Sequence, residues 1–270
     1  IPSRGLGDVY KRQDYFYFSH KFSMNYNAIM RIPRFYCPDI SSDVLEIHDQ
    51  KIIHHLIKVL RARQGQSVVL FDGNGKTFEC EIKEIEKNKI KLDLLDSHTS
   101  KKKNIITFNF FLPILKRESL ISVATKLAEL GVDKISLYLP DKVDQSMAKK
   151  DFNKLTEKVT ETLILACSQS GNNFIPELKF FNNLKEALDA KDGRIVMLDT
   201  LPDAAPLNAY NPLQNERSVS IVTGCESGYS DAERKLFKKD DVYYLRTNIL
   251  RAETAPVTIL PMLKLIYKDI

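Results

Sequence analysis

Three apolar runs in the last third of the chain end in small or polar residues: "MLDT" (197–200), "VTGCESG" (222–228) and "YLRTNILRAETAP" (244–256). If each run is a strand of an open α/β sheet, the residues after it face the ligand-binding side, beyond the carboxyl ends of the strands. In the second run Gly224 and Gly228 flank Glu226, and Ser230 stands three residues before Glu233. Ser-x-x-Glu is a capping box and accounts for a helix start. It does not account for two glycines around an acidic residue that reads as buried. The loop has neither the G-x-x-x-x-G-K-[ST] of a phosphate loop nor the G-x-G-x-x-G of a dinucleotide fold. Two readings stay open: a backbone-lined pocket for a polar or adenine-like group, or a plain strand–turn–helix connection. In the third run Arg251 and Glu253 read as an exposed ion pair beside a helix that begins near Thr254.

Nucleophilic catalysis has little support. Cys167 or Ser168, at the end of a helical pattern, would need a histidine base. All five histidines (20, 48, 54, 55 and 98) precede residue 100. The four cysteines (Cys37, Cys80, Cys167 and Cys225) are scattered without a C-x-x-C pair, which argues against structural zinc and a disulfide framework. No metal is expected, and the thiols are expected to be reduced in a cytoplasm.

The elements that must position these loops are legible from periodicity. "DQKIIHHLIKVLRAR" (49–63) carries helical spacing, whereas "QSVVLFDG" and "TFECEIKEIEKNKIKLDLLD" alternate like half-buried strands around the turn signal "DGNG" (72–75). Residues 30–100 therefore read as a small barrel or sandwich. "SHTSKKKN" (97–104) reads as a basic linker. Beyond it, strands alternate with helices: "IITFNFFLPI", then "ESLISVATKLAEL" stopped by Gly131, "KISLYLP", and "FNKLTEKVTETLILACSQS" stopped by Gly171. "LKEALDA", "GRIVMLDT", "RSVSIVTG", "DAERKLFKK", "VYYL" and "APVTILPMLKLIYK" follow as helix, strand, strand, helix, strand and helix. That pattern is α/β with a mostly parallel sheet over 104–270.

The chain has 270 residues, 43% of them hydrophobic, and a formal net charge of +5. The excess lies in the first half, since residues 104–270 hold 22 basic and 22 acidic side chains. Such a balance permits a nucleic-acid partner without demanding one. No apolar run approaches the ~20 residues of a membrane span, so no membrane partner is expected. Residues 1–29 are expected to be extraneous to the fold or disordered: "SRGLGDVYKRQ" (3–13) back-translates in one frame to a transposase adaptor used in sequencing libraries, which would place the natural start at Met24 or Met30.

In order along the chain, "MRIPRFY" (30–36), "HHLIKVLRARQGQSVVLFDGNG" (54–75), "LPILKRESLISVATKLAELGVDKI" (112–135), "ACSQSGNNFIPEL", "TGCESGYSDAE" and "LRTNILRAETA" resemble the segments of one family. It is the bacterial 16S rRNA uracil-N3 methyltransferases of the trefoil-knotted (SPOUT) class. The resemblance implies an N-terminal PUA-like β-barrel over 30–100 that helps grip RNA. It implies a knotted α/β methyltransferase domain over 104–270, S-adenosylmethionine as cofactor, the 16S rRNA or small ribosomal subunit as partner, and a homodimer. It implies a cofactor site formed by Leu198, Thr200, Thr223, Gly224, Glu226, Gly228, Leu245, Asn248, Ile249 and Leu250. Arg251 is the candidate for orienting the uracil or stabilising its charge, and Glu226 for the cofactor or proton handling. Arg31, Arg34, Arg61, Lys116 and Lys126 are the candidate RNA contacts. The chain departs from the family pattern at Cys225 and Ser227 in the G-P-E-G-G loop, at Arg246 and Asn248 in "LG.RILR", and at Ser168 and Asn172. A glycine lost at Ser227 matters if that residue needs positive φ. A non-catalytic RNA-binding relative and an unrelated nucleotide-binding α/β enzyme are the alternative readings.

Overall fold

The computed structural model describes residues 32–40, 45–102, 106–143 and 152–269. The segment 1–29 and the candidate Arg31 lie outside the described residues.

Residues 34–99 form a sheet from β1 (Arg34–Tyr36), β2 (Glu46–Ile47), β3 (Ser67–Phe71), β4 (Lys76–Ile85) and β5 (Ile90–Thr99), in the order β1-β3-β4-β5-β2. Only β1 and β3 run parallel. Strand β4 alternates as its sequence demands, with Phe78, Cys80 and Ile82 buried and Glu81 and Lys83 exposed. Register shifts at Glu79/Cys80 and Ile82/Glu84 mark bulges, the usual device for bending a long antiparallel pair. Helix α1 (Gln50–His54), N-capped by Asp49, passes into a π-helical turn over His55–Val59. It drives Ile53 and Leu56 into the core made by Phe78, Cys80, Ile82 and Ile90.

The second sheet has seven strands: β6 (Thr107–Pro113), β7 (Lys134–Tyr138), β8 (Glu177–Phe181), β9 (Arg194–Leu198), β10 (Ala205–Pro206), β11 (Ser218–Val222) and β12 (Val242–Tyr244). Every pairing is parallel, in the order β10-β12-β9-β11-β6-β7-β8. Helices α2 (Arg117–Glu129), α3 (Phe152–Ser170), α4 (Leu184–Asp189), α5 (Asp231–Arg234) and α6 (Thr254–Ile266) complete the layers. Strand β6 shows why its sequence is almost wholly apolar. Phe108, Phe110 and Leu112 join the core shared with α2, α3 and α6, while Phe111 joins the core shared with α4. A parallel strand covered on both faces reads as an unbroken apolar run. From β6 the chain steps outward through β7 and β8 and later fills the other side, so the strand order switches between β6 and β11. That switch, at the carboxyl ends, is where open α/β sheets place ligands.

Gly131 and Gly171, with φ of 72° and 78°, stop α2 and α3 as expected. The helix expected over "DAERKLFKK" is shorter: after Arg234 the backbone tightens to Leu236 N–Glu233 O (3.1 Å) and Phe237 N–Arg234 O (3.2 Å), which turns Phe237 against Tyr229. Strand β8, an edge strand with no fully buried residue, was not among the expected strands.

Residues 33–270 are one unit, and the two sheets share a seam. Ile175 N donates to Gly73 O (2.9 Å), Gly75 N to Asn173 O (3.0 Å) and Ser100 N to Gly75 O (2.8 Å). Gly73 and Gly75 have φ of +77° and +104°, and a Cβ on Gly75 would stand 2.6 Å from the Phe174 ring. Only glycine fits that conformation and that approach.

Candidate active site

Strands β9, β11 and β12 end side by side, and the loops that leave them surround a cleft of about 680 Å³. The β11 loop carries the strongest local constraints. Gly228 N donates to Cys225 O (2.9 Å), closing a turn with Glu226 and Ser227 at its centre. Gly228, not Ser227, takes the positive φ (66°), so serine is accommodated at the family's second-last glycine position. The buried Cys225 thiol donates to Gly228 O (3.3 Å), and burial pushes its pKa up, which keeps it a neutral donor. Gly224 leaves room for a ring: a Cβ there would stand 3.1 Å from Tyr229. The capping box is complete, with Glu233 N to Ser230 Oγ (3.0 Å) and Ser230 N to Glu233 Oε2 (2.8 Å). Its carboxylate also accepts from Asp141 N (3.2 Å), which ties the loop to the end of β7.

The structure brings Leu198, Thr200, Thr223, Gly224, Glu226, Gly228, Leu245, Asn248, Ile249, Leu250, Arg251 and Lys116 to the walls of this one cleft. Glu226, which reads as buried in the sequence, is exposed: it sits at the tip of the turn, where its Oε1 faces Lys116 N at 3.4 Å. Arg251 is 85% exposed and pairs loosely with Glu253 (3.8 Å), so its guanidinium is free to turn toward a ligand. Ile249 is 89% exposed, an apolar surface available to whatever enters. Arg246 is exposed and is not among the residues that line the cleft, although its neighbours Leu245 and Thr247 are.

The remaining candidates are dispersed. Arg34 is half-buried in the seam, where its guanidinium donates to Asn173 Oδ1 (2.5 Å) and lies over the Phe71 ring. Burial lowers its pKa. Its placement is that of a clasp between the sheets. Arg61 is exposed beyond the π turn, with φ of 52°. Lys126 is exposed near the far end of α2, bonded to Ser122 Oγ (3.0 Å), and the cleft lies at the other end of that helix. Asn172, another departure, joins α2 to the seam by donating to Ala128 O (3.1 Å) and accepting from Phe174 N (3.0 Å), so its role is structural.

Sequence reasoning missed Asp199, Ser119, Tyr229 and Tyr244 in the cleft wall. Asp199 stood in the quoted "MLDT"; its side chain is only 8% exposed and is held by Arg234 Nε (2.9 Å). Tyr229 carried no signal, because an aromatic after a glycine turn reads as core. Two hydroxyls in the wall, Thr223 Oγ1 and Tyr229 Oη, are buried and meet no hydrogen-bond partner among the described residues. Among those residues no group of three or more His, Cys, Asp or Glu is placed to hold a metal ion. No described helix is long and apolar enough to cross a membrane.

Comparison with known proteins agrees with this geometry. The RNA methyltransferase PUA domain family matches residues 49–95. "Ribosomal RNA small subunit methyltransferase E" of Helicobacter pylori is 29% identical over 82% of this chain and 95% of its own. "Ribosomal RNA small subunit methyltransferase E 2" of Borreliella burgdorferi is 26% identical over 85% of this chain and 95% of its own. A crystal structure of a ribosomal RNA small subunit methyltransferase E from Neisseria gonorrhoeae, bound to S-adenosylmethionine, superposes with a TM-score of 0.75 at 25% identity, covering 87% of this chain and 98% of that one. The RNA methyltransferase domain family matches residues 101–264, well over half of the sequence and every loop of the cleft, and the chain belongs to that family.

Proposed function

We propose that the protein is an S-adenosylmethionine-dependent methyltransferase acting on N3 of a uridine in the 16S rRNA of the small ribosomal subunit. The observation that carries the reading is the convergence of three strand-end loops on one cleft inside the matched methyltransferase domain. The residues present fit the cofactor. Leu198, Leu245, Ile249 and Leu250 offer apolar walls to a flat base. The unpartnered hydroxyl of Thr223 offers a polar group that a bound ligand would satisfy. S-adenosylmethionine supplies an electrophilic methyl on a sulfonium centre.

The chain's own contribution is positioning and charge. Holding the uridine nitrogen in line with the methyl removes much of the entropic barrier. Uridine N3 carries a proton, so negative charge develops on the pyrimidine as that proton leaves. Arg251, exposed at the cleft wall, is placed to offset this charge. Glu226, at the tip of the β11 turn, is placed to accept a proton or to fix the cofactor's charged end. Lys116 and Arg61 are exposed cations available to phosphates, the contacts that position RNA without reading its sequence. The segment over 30–100 acts as the RNA-gripping domain and 104–270 as the knotted catalytic domain. The protein works as a homodimer in the cytoplasm; the exposed Met262 and Leu265 on α6 supply apolar surface for a partner copy.

The reading is tested by incubation with small subunits lacking the modification and with labelled S-adenosylmethionine, followed by mass spectrometry of the nucleosides. Formation of N3-methyluridine is expected. Failure of a folded, cofactor-binding protein to transfer methyl would contradict the reading.

A further inference from the structure

The turn between β11 and α5 is a wall with two sides. One side borders the cleft of the three strand-end loops. The other borders a second cavity of about 220 Å³, lined by Lys116, Lys142, Cys225 and Glu226 with the apolar Ile114 and Val143. Lys116, Cys225 and Glu226 belong to both walls. Pockets for whole small molecules begin at roughly 300 Å³, so the second cavity suits a single charged group with its water. Its wall sets two lysines against one glutamate, an excess of one positive charge. All three side chains are exposed, and neither lysine has an ion-pair partner among the described residues. The backbone that carries Lys142 is braced against the β11 turn. Cys225 Sγ lies 3.7 Å from Lys142 O, Asp141 N donates to Glu233 Oε1 (3.2 Å), and Ser230 Oγ donates to Asp141 Oδ2 (2.5 Å). The first of these contacts uses the thiol of Cys225, and a proline there, as in the family loop, has no side-chain donor to offer. Lys116 stands at the N-cap of α2, its backbone set by the helix that follows.

Resting on the methyltransferase reading, we propose that this second cavity seats a backbone phosphate of the RNA, beside the nucleotide whose base enters the cleft, with Lys142 and Lys116 supplying the cations. A phosphodiester carries one negative charge and matches the excess of one positive charge in the wall. Because three residues belong to both walls, a nucleotide with its base in the cleft keeps its backbone within reach of the second cavity. Lysine meets a phosphate as a point charge, which fixes register without reading sequence. The braced backbone at Asp141 and Lys142 lowers the ordering cost of that contact. The cofactor's own carboxylate is the other monoanion at hand, and the test separates the two.

Methyl transfer to small subunits lacking the modification is measured for the full chain, Lys142→Gln, Lys142→Arg and Lys185→Gln, the last at an exposed lysine on α4 that lines neither cavity. Lys142→Gln is expected to raise KM for the subunits about 10-fold, as the loss of one charge-assisted contact predicts, with kcat held within about 2-fold. The fall of its log kcat/KM with log salt is expected to be shallower by about 1. Lys142→Arg keeps the charge and is expected to restore KM, and Lys185→Gln is expected to leave it unchanged. Calorimetry with S-adenosylmethionine is expected to give one affinity throughout the set. An unchanged KM in Lys142→Gln overturns the inference, as does an equal rise in Lys185→Gln. A loss of cofactor affinity in Lys142→Gln also overturns it, because the lysine then serves the cofactor's carboxylate. Absence of transfer by the unaltered chain overturns the methyltransferase reading, and this inference with it.

Discussion

The seam between the two sheets and the cleft at the strand ends are both built on glycine turns, yet the glycines work in opposite ways. At the seam, Gly73 and Gly75 take positive φ so that two segments can touch; their missing side chains are replaced by Ile175 and Phe174 at contact distance. Asp72 Oδ1 accepts from Asn74 N and Lys76 N, and the turn's backbone is bonded across to Asn173, Ile175 and Ser100. In the cleft, Gly228 takes the same backbone conformation with nothing within 4 Å of where a Cβ would be. There the turn only redirects the chain, and the space stays open. Ile249 is exposed, and among the described residues two wall hydroxyls are unpaired and Arg251 has one loose partner. The seam uses its glycines for close contact, with Arg34 Nε left buried and unpartnered among the described residues, whereas the cleft uses its glycine for open space.

Substitutions should separate the two regions. Arg251→Ala has the largest expected effect, a fall in methyl transfer of about 10²- to 10³-fold, as for removal of one charge-stabilising donor, with stability changed by less than about 0.5 kcal/mol because the side chain is exposed. Activity and denaturation measured on the same preparation check it, and a large loss of stability would move Arg251 to the structural side. Gly75→Val should destabilise by about 3–5 kcal/mol, from a side chain at positive φ plus overpacking against Phe174, while Gly228→Ala should lose only about 1 kcal/mol. Urea denaturation reads both, and equal losses would erase the distinction between the turns. Asn173→Ala leaves the half-buried Arg34 guanidinium without its acceptor and should destabilise by about 1–3 kcal/mol, with cofactor affinity unchanged. Arg246→Gly should change neither stability nor cofactor affinity measurably, since the side chain is exposed and does not line the cleft. A gain in affinity would show that this departure obstructs the site.

Much of the cleft was legible because its signal is local. An apolar strand that ends abruptly in glycine, threonine or asparagine shows itself within a few residues, and three such endings marked the loops that line the cleft, while the choice of candidate residues within them came from the family resemblance. The capping box at Ser230 and the helix stops at Gly131 and Gly171 were legible for the same reason. The seam was not. "DGNG" reads as a turn whether or not anything docks on it, and Arg34 reads as a surface cation until its distant partner Asn173 is known. Glu226 read as buried because its neighbours are small and apolar, but burial depends on where the tip of the turn points. Strand β8 escaped because an edge strand alternates weakly, and the helix at Asp231 was overextended because its pattern continues past the point where Phe237 is needed against Tyr229. Tyr229 was invisible as a cleft-wall residue, since a core aromatic and one that also borders a cavity have the same local sequence.

The most direct test of the account is calorimetric titration of the full chain and of Ile249→Glu with S-adenosylmethionine. Ile249 is 89% exposed, so its replacement should leave the fold intact. The account predicts micromolar-range binding by the unaltered chain and at least about a 10-fold loss when a carboxylate replaces the apolar wall. Binding that is indifferent to the substitution, or no binding by a folded chain, would contradict the claim that this cleft holds the cofactor.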